Sequence, residues 1–343
     1  MEGGIKSSLQ KNMELTEFLN TITSQFVHSQ TTAEAIYYAL KSKRNIILHG
    51  PGGHAKSDIA EACLKIMTPN FYGETYIASC SQQMDASPFV GYTDIKTLRE
   101  EGLRKTVLED TVFLKSRYAI LEEGFDAPDD LLLSLKDGLQ RGYICINGVC
   151  EPNKLQTLII CTNVDPIKWA GKDQSRNALL GRFAFTHKVE WPSYTANDFQ
   201  AMFEARGFSD LQVARIAEKC HALGFEVSPR DVMMMRQIHE IGGLQALRTF
   251  RGMTQMVYDE LLALEASFPY IAEIEEIEKT VNLAEVTTNV EQHLKLLALA
   301  QRLIKNLKVI PTDGVYSGRL KGLVKKAQAL QQNAIENLSR PRL

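Results

Sequence analysis

Short apolar blocks alternate with amphipathic stretches over the first half of the chain, after a predicted helical segment at residues 13–43. The blocks are too brief for helices, whereas the stretches between them repeat apolar residues every three or four positions, as one helix face does. Near-continuous apolar strands separated by helices are typical of a parallel sheet covered on both faces. The predicted strands are NIILH (45–49), TYIASC (75–80), YAILEE (118–123), TLIICTN (157–163) and AFTHKVEW (184–191).

The segments between these strands carry their own signals. Helices are predicted at residues 56–67, 103–114 and 129–140. A β-hairpin is predicted with its turn at Asn147–Gly148, because this pair readily takes the backbone conformation of a tight hairpin turn.

After Pro192 the strand patterns stop, and the chain is predicted to continue as successive helices. The helix that begins near Ser228 should end at the glycine pair 242–243, because glycine accepts the left-handed conformation that ends many helices. The fold class that follows is α/β: a parallel sheet sandwiched by helices, then an all-α lid and C-terminal helices.

Three later signals divide the helical part. Phe268–Pro269 is predicted to break a helix, and a capping box from Thr288 to Glu291 is predicted to open another. A last amphipathic helix is predicted at about residues 317–338. The predicted domains are residues 1–192, the sheet with an N-terminal helix, residues 193–267, the lid, and residues 268–343, a C-terminal helical extension.

Composition places the chain among ordinary folded proteins. It has 343 residues, 44% hydrophobic and 23% charged, with a net charge of -2. No apolar run approaches the roughly 20 residues of a membrane helix, and the N-terminus lacks the apolar core of a signal peptide. We therefore expect a cytoplasmic protein without a membrane partner. The six cysteines lack zinc-site spacing and are expected to be reduced, mostly structural thiols.

The sharpest chemical signal is the sequence GPGGHAKS, which lies between a predicted strand and a predicted helix. Glycines let the backbone wrap around phosphate oxygens, and the N–H groups at the helix start point at negative charge. Lysine can reach the β- and γ-phosphates, and serine can coordinate Mg²⁺. The motif predicts an ATP and Mg²⁺ site formed by Gly50, Pro51, Gly52, Gly53, His54, Ala55, Lys56 and Ser57.

One position departs from the usual motif. Ala55 stands where a glycine normally precedes the lysine. Alanine tolerates a positive φ poorly and adds a methyl group near the phosphates. We expect this change to tune the site rather than to remove it.

Polar residues follow two other predicted strands. Glu122 and Glu123 end the third strand, where one acid can hold Mg²⁺ and the next can orient the attacking water. Asn163 ends the fourth strand and can touch the γ-phosphate and that water. Arg182 follows a predicted helix, and its guanidinium suits the charge that develops on a transferring phosphoryl group.

These pieces, in this order and spacing, resemble the MoxR family of AAA+ ATPases over about residues 26–242. GPGGHAKS resembles the Walker A motif, ILEEGFDAPDD the Walker B region, CTNVDP the sensor-1 strand end, and NALLGRF the arginine-finger motif. The segment SPR (228–230) resembles the start of the sensor-2 helix. MDASPFVGY resembles the loop of the family that carries a helical insert facing the ring's pore.

The resemblance implies a role for each matching residue. It implies that Glu122 supports the metal together with Ser57, that Glu123 is the catalytic acid, and that Asn163 is sensor 1. It further implies that Arg182 reaches the ATP of a neighbouring subunit and that Arg230 contacts the nucleotide from the lid. The family usually has aspartate at the position of Glu122, so the side chain here is one methylene longer.

The same resemblance implies a homo-oligomeric ring, commonly a hexamer, that remodels or activates protein clients. Many family members work with a partner that carries a von Willebrand A domain. A nucleic-acid-dependent motor stays open as an alternative, because residues 291–343 contain ten Lys and Arg against three Asp and Glu. These charges are dispersed and lack the aromatic residues that stack on bases. A small-molecule P-loop kinase is a weaker alternative, since it has no use for Arg230 on a separate lid.

Overall fold

A computed structural model of the chain describes residues 13–85, 87–103, 105–107, 112–146, 149–190, 194–306 and 317–339. The chain forms two compact units. The first runs through His221 and includes Glu226–Arg236, and the second comprises Ala222–Phe225 and the chain from Gln237 onward.

A five-stranded parallel sheet forms the centre of the first unit. The strands along the chain are β1 (Asn45–His49), β2 (Thr75–Ser79), β3 (Tyr92–Thr93), β4 (Thr106–Val107), β5 (Tyr118–Glu122), β6 (Tyr143–Ile146), β7 (Val149–Pro152), β8 (Thr157–Thr162) and β9 (Phe183–Lys188). The central sheet has the order β2-β5-β8-β1-β9, and every neighbouring pair in it is parallel. All residues of β1 and β8 are buried, as expected for strands covered on both faces.

Helices cover both faces of this sheet. The helices along this part of the chain are α1 (Leu15–Thr23), α2 (Gln30–Ser42), α3 (Lys56–Met67), α4 (Phe71–Glu74), α5 (Ser87–Val90), α6 (Ile95–Glu101), α7 (Val112–Lys115), α8 (Asp129–Arg141), α9 (Pro166–Ala170), α10 (Gln174–Leu180), α11 (Ala196–Glu204) and α12 (Leu211–Ala222). Because side chains alternate along a strand, Ile46 and Leu48 pack with α1, α2 and α3 on one face, and Ile47 packs on the other. The predicted α/β class is confirmed.

The rest of the described chain is helical. It consists of α13 (Pro229–Ala246), a 3₁₀ turn (Leu247–Gly252), α14 (Gln255–Val286), α15 (Val290–Asn306) and α16 (Ser317–Ser339). In the second unit, buried Ile274, Ile277 and Val281 of α14 pack with Leu297 of α15 and Leu323 of α16. Among the residues described, no helix combines the length and the apolarity that crossing a bilayer requires.

The predicted helix at residues 103–114 is wrong in its described part. Thr106 and Val107 form β4 and pair antiparallel with β3, and only Val112–Lys115 is helical. Both β4 residues are β-branched, which favours an extended backbone once a partner strand is available. The partner strand is brought there by tertiary structure, and a local pattern does not reveal it.

The predicted break at Phe268–Pro269 is also wrong, because α14 continues through it. Proline removes one intrahelical hydrogen bond and crowds the preceding turn. Burial of apolar residues from Ile271 onward offsets that loss. The next helix starts at Val290, and Asn289 rather than Thr288 caps it, since its side-chain oxygen accepts hydrogen bonds from the backbone N–H groups of Glu291 and Gln292 at 3.0 and 3.3 Å.

Two turns agree with their sequence signals. The glycine pair 242–243 interrupts the helical backbone of α13, and Gly243 has a φ of 60°. Strands β6 and β7 form the predicted hairpin, although its turn at Asn147–Gly148 lies outside the described residues.

The hairpin corrects the expectation for the cysteines. Its register places Cys145 opposite Cys150, and Cys150 is disulfide-bonded. Cys63, Cys80, Cys161 and Cys220 are free and buried. The spacing of five residues allows a cross-strand pair only when the turn sets the right register, and the tertiary structure supplies it.

We predict that stability falls as the pH drops below about 6.5, the ordinary histidine pKa. Burial lowers the pKa of His49, and burial together with His49 lowers that of His187, which hydrogen-bonds the Thr32 hydroxyl at 3.0 Å. A folded-state pKa below the unfolded value means that the unfolded chain takes up protons first, so acid favours unfolding. Urea titrations at pH 7.5 and 5.5 should show a smaller pH-dependent loss for His187→Gln than for the wild type. An equal loss would contradict the assignment.

Candidate functional site

The candidate site lies at one edge of the central sheet, where the carboxyl ends of the parallel strands meet. Strand β8 lies between β1 and β5, so Gly50, Glu122 and Asn163 come from three adjacent strands. The Gly50 N–H donates to the Thr162 carbonyl at 3.2 Å, which fixes the start of the glycine-rich loop against β8. Carboxyl ends of parallel strands are where open α/β sheets commonly bind ligands.

Two glycines of the loop occupy positions that other residues could not. Gly50 has a φ of 148°, and a Cβ there would lie 2.4 Å from the Val189 carbonyl oxygen. Gly53 has a φ of 79°, and a Cβ there would lie 2.4 Å from the Ser228 hydroxyl oxygen. A Cβ on Gly52 would lie 3.8 Å from the amide nitrogen and oxygen of Asn163, and the His54 ring nitrogen Nδ1 lies 2.9 Å from the Gly52 carbonyl oxygen. The loop therefore depends on glycine for its close approach to neighbouring backbone.

The loop turns into α3 at Ala55. This residue has φ 55° and ψ 25°, the left-handed conformation, and its carbonyl accepts the first hydrogen bond of α3 from Ile59 at 2.8 Å. For a non-glycine residue this conformation costs about 1–2 kcal/mol. The sequence argument that alanine would adopt a positive φ here agrees with the structure.

Lys56 lies beneath the loop with only 7% of its surface exposed. Its ammonium donates to the carbonyl oxygens of Gly50 at 2.9 Å and Pro51 at 2.8 Å and to Asn163 Oδ1 at 2.8 Å. Burial lowers the pKa of Lys56, whereas Cys161 and Glu123 raise it and the nearby Arg230 lowers it further. The positive charge is thus held at the mouth of the loop by three oxygens.

Asn163 links this lysine to an acid. Its amide nitrogen donates to Glu123 Oε1 at 2.8 Å while its amide oxygen accepts from Lys56. Glu123 has a φ of 48°, an uncommon conformation that directs the chain away from β5 immediately after the strand. A cation, an amide and a carboxylate therefore form one continuous hydrogen-bonded chain.

Ser57 and Glu122 meet around a residue that the sequence analysis did not single out. The Ser57 hydroxyl hydrogen-bonds the thiol of Cys161, and the carboxylates of Glu122 and Glu123 act on the same thiol. Burial raises the pKa of Cys161 to about 12, so the thiol stays protonated. Its place in the fourth strand, two residues before Asn163, is the one sequence signal that could have indicated this position.

Arg230 reaches the site from the start of α13. Ser228 caps that helix through a reciprocal pair with Asp231, with Ser228 Oγ donating to Asp231 Oδ2 at 2.7 Å. A Cβ on Gly53 would lie 3.5 Å from the Arg230 Cβ, and the Arg230 charge acts on Lys56. The pattern Ser-x-x-Asp is a helix-start signal that could have identified Ser228 as a neighbour of the loop.

Arg182 lies elsewhere. It precedes β9, and its carbonyl accepts a hydrogen bond at 3.1 Å from Asn45 at the start of β1. The loop follows the other end of β1, so a five-residue strand, roughly 16 Å at about 3.3 Å per residue, separates the two. Arg182 Nη1 donates to the Ala178 carbonyl of α10 at 3.2 Å. The sheet therefore brings together all the predicted site residues except Arg182.

We predict that Ala55→Gly leaves the protein at least as stable as the wild type and leaves ATP affinity intact or improved. Glycine removes about 1–2 kcal/mol of left-handed strain, which offsets about 0.5–1 kcal/mol of added backbone entropy. Ala62→Gly is the matched control, since Ala62 lies inside α3. There the same substitution should lower the free energy of unfolding by about 1 kcal/mol. Equal losses in the two variants, measured by denaturant titration, would show that Ala55 is not strained.

Comparisons with known proteins extend no function to the chain. No family model matches it, and no curated protein matches it. Similar solved structures include a candidate ATPase from Cytophaga hutchinsonii, with 14% identity, 96% of this chain and 88% of that chain covered, and a TM-score of 0.39.

Two structures of Hsp104 are also similar. A closed state with ATPγS and FITC casein is 13% identical, with 71% of this chain and 48% of that chain covered and a TM-score of 0.47. An ADP complex from S. cerevisiae is 15% identical, with 70% of this chain and 50% of that chain covered and a TM-score of 0.43. This chain spans about half the length of the Hsp104 chains, and scores at this level leave the functional argument to the residues described above.

Proposed function

We propose that this chain binds and hydrolyses Mg-ATP as an ATPase of the AAA+ class. The observation that carries the proposal is a pair of hydrogen bonds at the glycine-rich loop. Lys56 donates to Asn163, and Asn163 donates to Glu123, each at 2.8 Å. A cation for phosphate, an amide and a carboxylate for the attacking water are the groups that phosphoryl transfer to water requires. Glu123 and Asn163 directly follow the neighbouring strands β5 and β8, and Lys56 starts the helix after the loop of the next strand, β1, which supports a single site.

The residues present fit a nucleotide and its metal ion. The loop can approach phosphate oxygens because Gly50 and Gly53 carry no side chain where one would collide. The oxygen ligands that would hold Mg²⁺ are the Ser57 hydroxyl, which hydrogen-bonds the Cys161 thiol, and the carboxylate of Glu122, which is opposite Cys161 in the register of β5 and β8. When bound, the ion supplies charge neutralisation on the phosphate oxygens.

Each remaining residue has one task in the proposal. Glu123 accepts a hydrogen bond from the attacking water and then accepts its proton as the general base. Asn163 holds the orientation of that carboxylate, as it already does through its amide nitrogen. Arg230, next to Gly53 and close enough to act on the Lys56 charge, contacts the nucleotide from the start of α13.

The position of Arg182 supports the proposal of assembly. Its backbone lies at the opposite end of β1 from the loop, so it is not placed to serve the site of its own chain. In the proposal it completes the site of a neighbouring subunit within a closed ring, commonly a hexamer in the family that the sequence resembles. A head-to-tail interface of this kind generates rings when its rotation closes.

The finer biology of the proposal rests on the resemblance to the MoxR family. We propose a cytoplasmic remodeller of protein clients, with a von Willebrand A domain protein as a candidate partner. The division into residues 1–192, 193–267 and 268–343 belongs to the same proposal. The client and partner assignments are tested by pulling down bound proteins with the hydrolysis-deficient Glu123→Gln variant in ATP.

The alternative of a nucleic-acid-dependent motor gains no support from the basic C-terminal helices. Arg319 forms an ion pair with Glu278, and Lys326 pairs with Glu285 at 2.9 Å, so these cations are matched by acids of α14. Lys295 pairs with Glu291 on its own helix at 2.7 Å. Charge that is neutralised within the chain contributes less to attraction of phosphates.

We predict opposite effects of two substitutions on binding and turnover. Lys56→Ala should abolish measurable ATP binding, because it removes the charge beneath the loop. Glu123→Gln should keep the dissociation constant near that of the wild type and lower kcat by at least about a hundredfold, the range for loss of a general base. Isothermal titration and a phosphate-release assay measure the two quantities. Wild-type affinity in Lys56→Ala would refute the nucleotide site.

We predict that Arg182→Ala binds ATP normally and hydrolyses it on the order of a thousandfold more slowly, as for removal of an arginine finger. Mixing it with Lys56→Ala should restore activity, since random mixing joins an intact pocket to an intact arginine at about a quarter of ring interfaces. Steady-state hydrolysis, with mixed rings verified by differently tagged subunits, measures this recovery. A mixture that assembles and stays inactive would contradict action in trans.

A further inference from the structure

The turn that follows Glu123 is fixed tightly against the sheet. A Cβ on Gly124 would lie 2.7 Å from Ile160 Cγ2, and the Asp126 N–H donates to the Glu123 carbonyl at 2.8 Å. Phe125, in the middle of this turn, is 4% exposed. Any movement of Glu123 therefore reaches the Phe125 ring through a short, packed stretch of backbone.

Phe125 stacks on an aromatic residue from the segment that follows Asn163. Its ring lies 4.2 Å from that of Trp169, with an angle of only 6° between the planes. Trp169 belongs to α9, whose N-cap Asp165 accepts from the N–H groups of Ile167 and Lys168 at 2.9 and 3.0 Å. Trp169 thus joins the segment after Asn163 to the segment after Glu123.

Arg176 closes this arrangement from α10. Its guanidinium lies 5.0 Å from the centre of the Trp169 ring, and Nη1 donates to the Trp169 carbonyl at 3.0 Å. Nη2 donates to both carboxylate oxygens of Asp129, at 3.0 and 2.8 Å, at the start of α8. We call Phe125, Trp169, Arg176 and Asp129 the clamp.

The helix held by the clamp is the one that presents Arg182. α10 ends at Leu180, two residues before Arg182, and the Arg182 side chain donates back to Ala178 of that helix. The Arg182 N–H donates to the Leu179 carbonyl at 2.9 Å. The orientation of Arg182 therefore depends on the position of α10.

We propose that the clamp holds the Glu123 turn and the Arg182 helix as one rigid body, so that each subunit couples its own site to the arginine that it gives its neighbour. Trp169 and Arg176 act as positioning residues and do not contact the nucleotide. The inference rests on the proposed function, because the coupling has an effect on turnover only if Glu123 and Arg182 serve two sites. It gives a role to Trp169 and Arg176, which have none in the proposed ATP site itself.

The test uses the mixture of Lys56→Ala and Arg182→Ala subunits and introduces Trp169→Ala into one of these two variants at a time. In the Lys56→Ala subunit, which supplies only the arginine, it should lower the recovered activity by about tenfold to a hundredfold, the loss expected for misplacement of a catalytic group by about 1 Å. In the Arg182→Ala subunit, which supplies only the pocket, it should lower the recovery similarly through Glu123, with ATP affinity unchanged. Loss in both positions supports the coupling, and loss in only one or in neither overturns it.

Control variants separate positioning from general damage. Trp169→Phe retains a ring for stacking on Phe125 and should keep most of the recovery, whereas Arg176→Gln removes the guanidinium and should behave like Trp169→Ala. Tyr72→Ala removes an aromatic ring that is 86% exposed and lies outside the clamp, and it should have no effect. If Trp169→Phe is as impaired as Trp169→Ala, stacking is not what holds the two segments together.

A second measurement does not depend on turnover. Amide hydrogen exchange without nucleotide should be faster in Trp169→Ala at both residues 124–126 and residues 174–182, and unchanged in β1 and β8. Faster exchange at one of the two segments alone would overturn the clamp. If the unmodified mixture is inactive, the ring proposal fails, and the exchange measurement still decides whether the clamp exists.

Discussion

The buried ammonium of Lys56 is the constraint on which the candidate site depends. An unpaired charge in a protein interior is strongly unfavourable, so its burial requires hydrogen-bonding partners. Two of them, the carbonyls of Gly50 and Pro51, point at the ammonium only because the loop takes a path that requires glycine at Gly50 and a left-handed residue at Ala55. The path of the loop and the position of the Lys56 charge therefore depend on each other.

The third partner of Lys56 depends on the order of the strands. Asn163 reaches the lysine because β8 lies between β1 and β5, and the same position lets its amide nitrogen hold Glu123. If β1 and β5 were direct neighbours, no strand end would lie between the cation and the acid. The sheet order thus converts three separate sequence motifs into one hydrogen-bonded chain.

The positions where sequence reasoning failed share a physical cause. The pair Thr106–Val107 became a strand because β3 was available as its partner, and α14 passed through Pro269 because burial of its apolar residues offset one lost hydrogen bond. Cys150 is disulfide-bonded, and the hairpin register places Cys145 opposite it. In each case a contact with a distant or facing segment overrode a local preference.

The sequence by itself determined the apolar strands, the helices between most of them, and the glycine-rich loop with its lysine, because hydrophobic periodicity and backbone conformation are local properties. It also located Glu123 and Asn163 at strand ends. Tertiary structure alone decided that β8 separates β1 from β5, that Cys161 lies among Ser57 and the two acids, and that Arg182 lies at the far end of the sheet. Strand order and the packing of distant side chains depend on contacts between segments far apart in the chain, and no local pattern encodes those contacts.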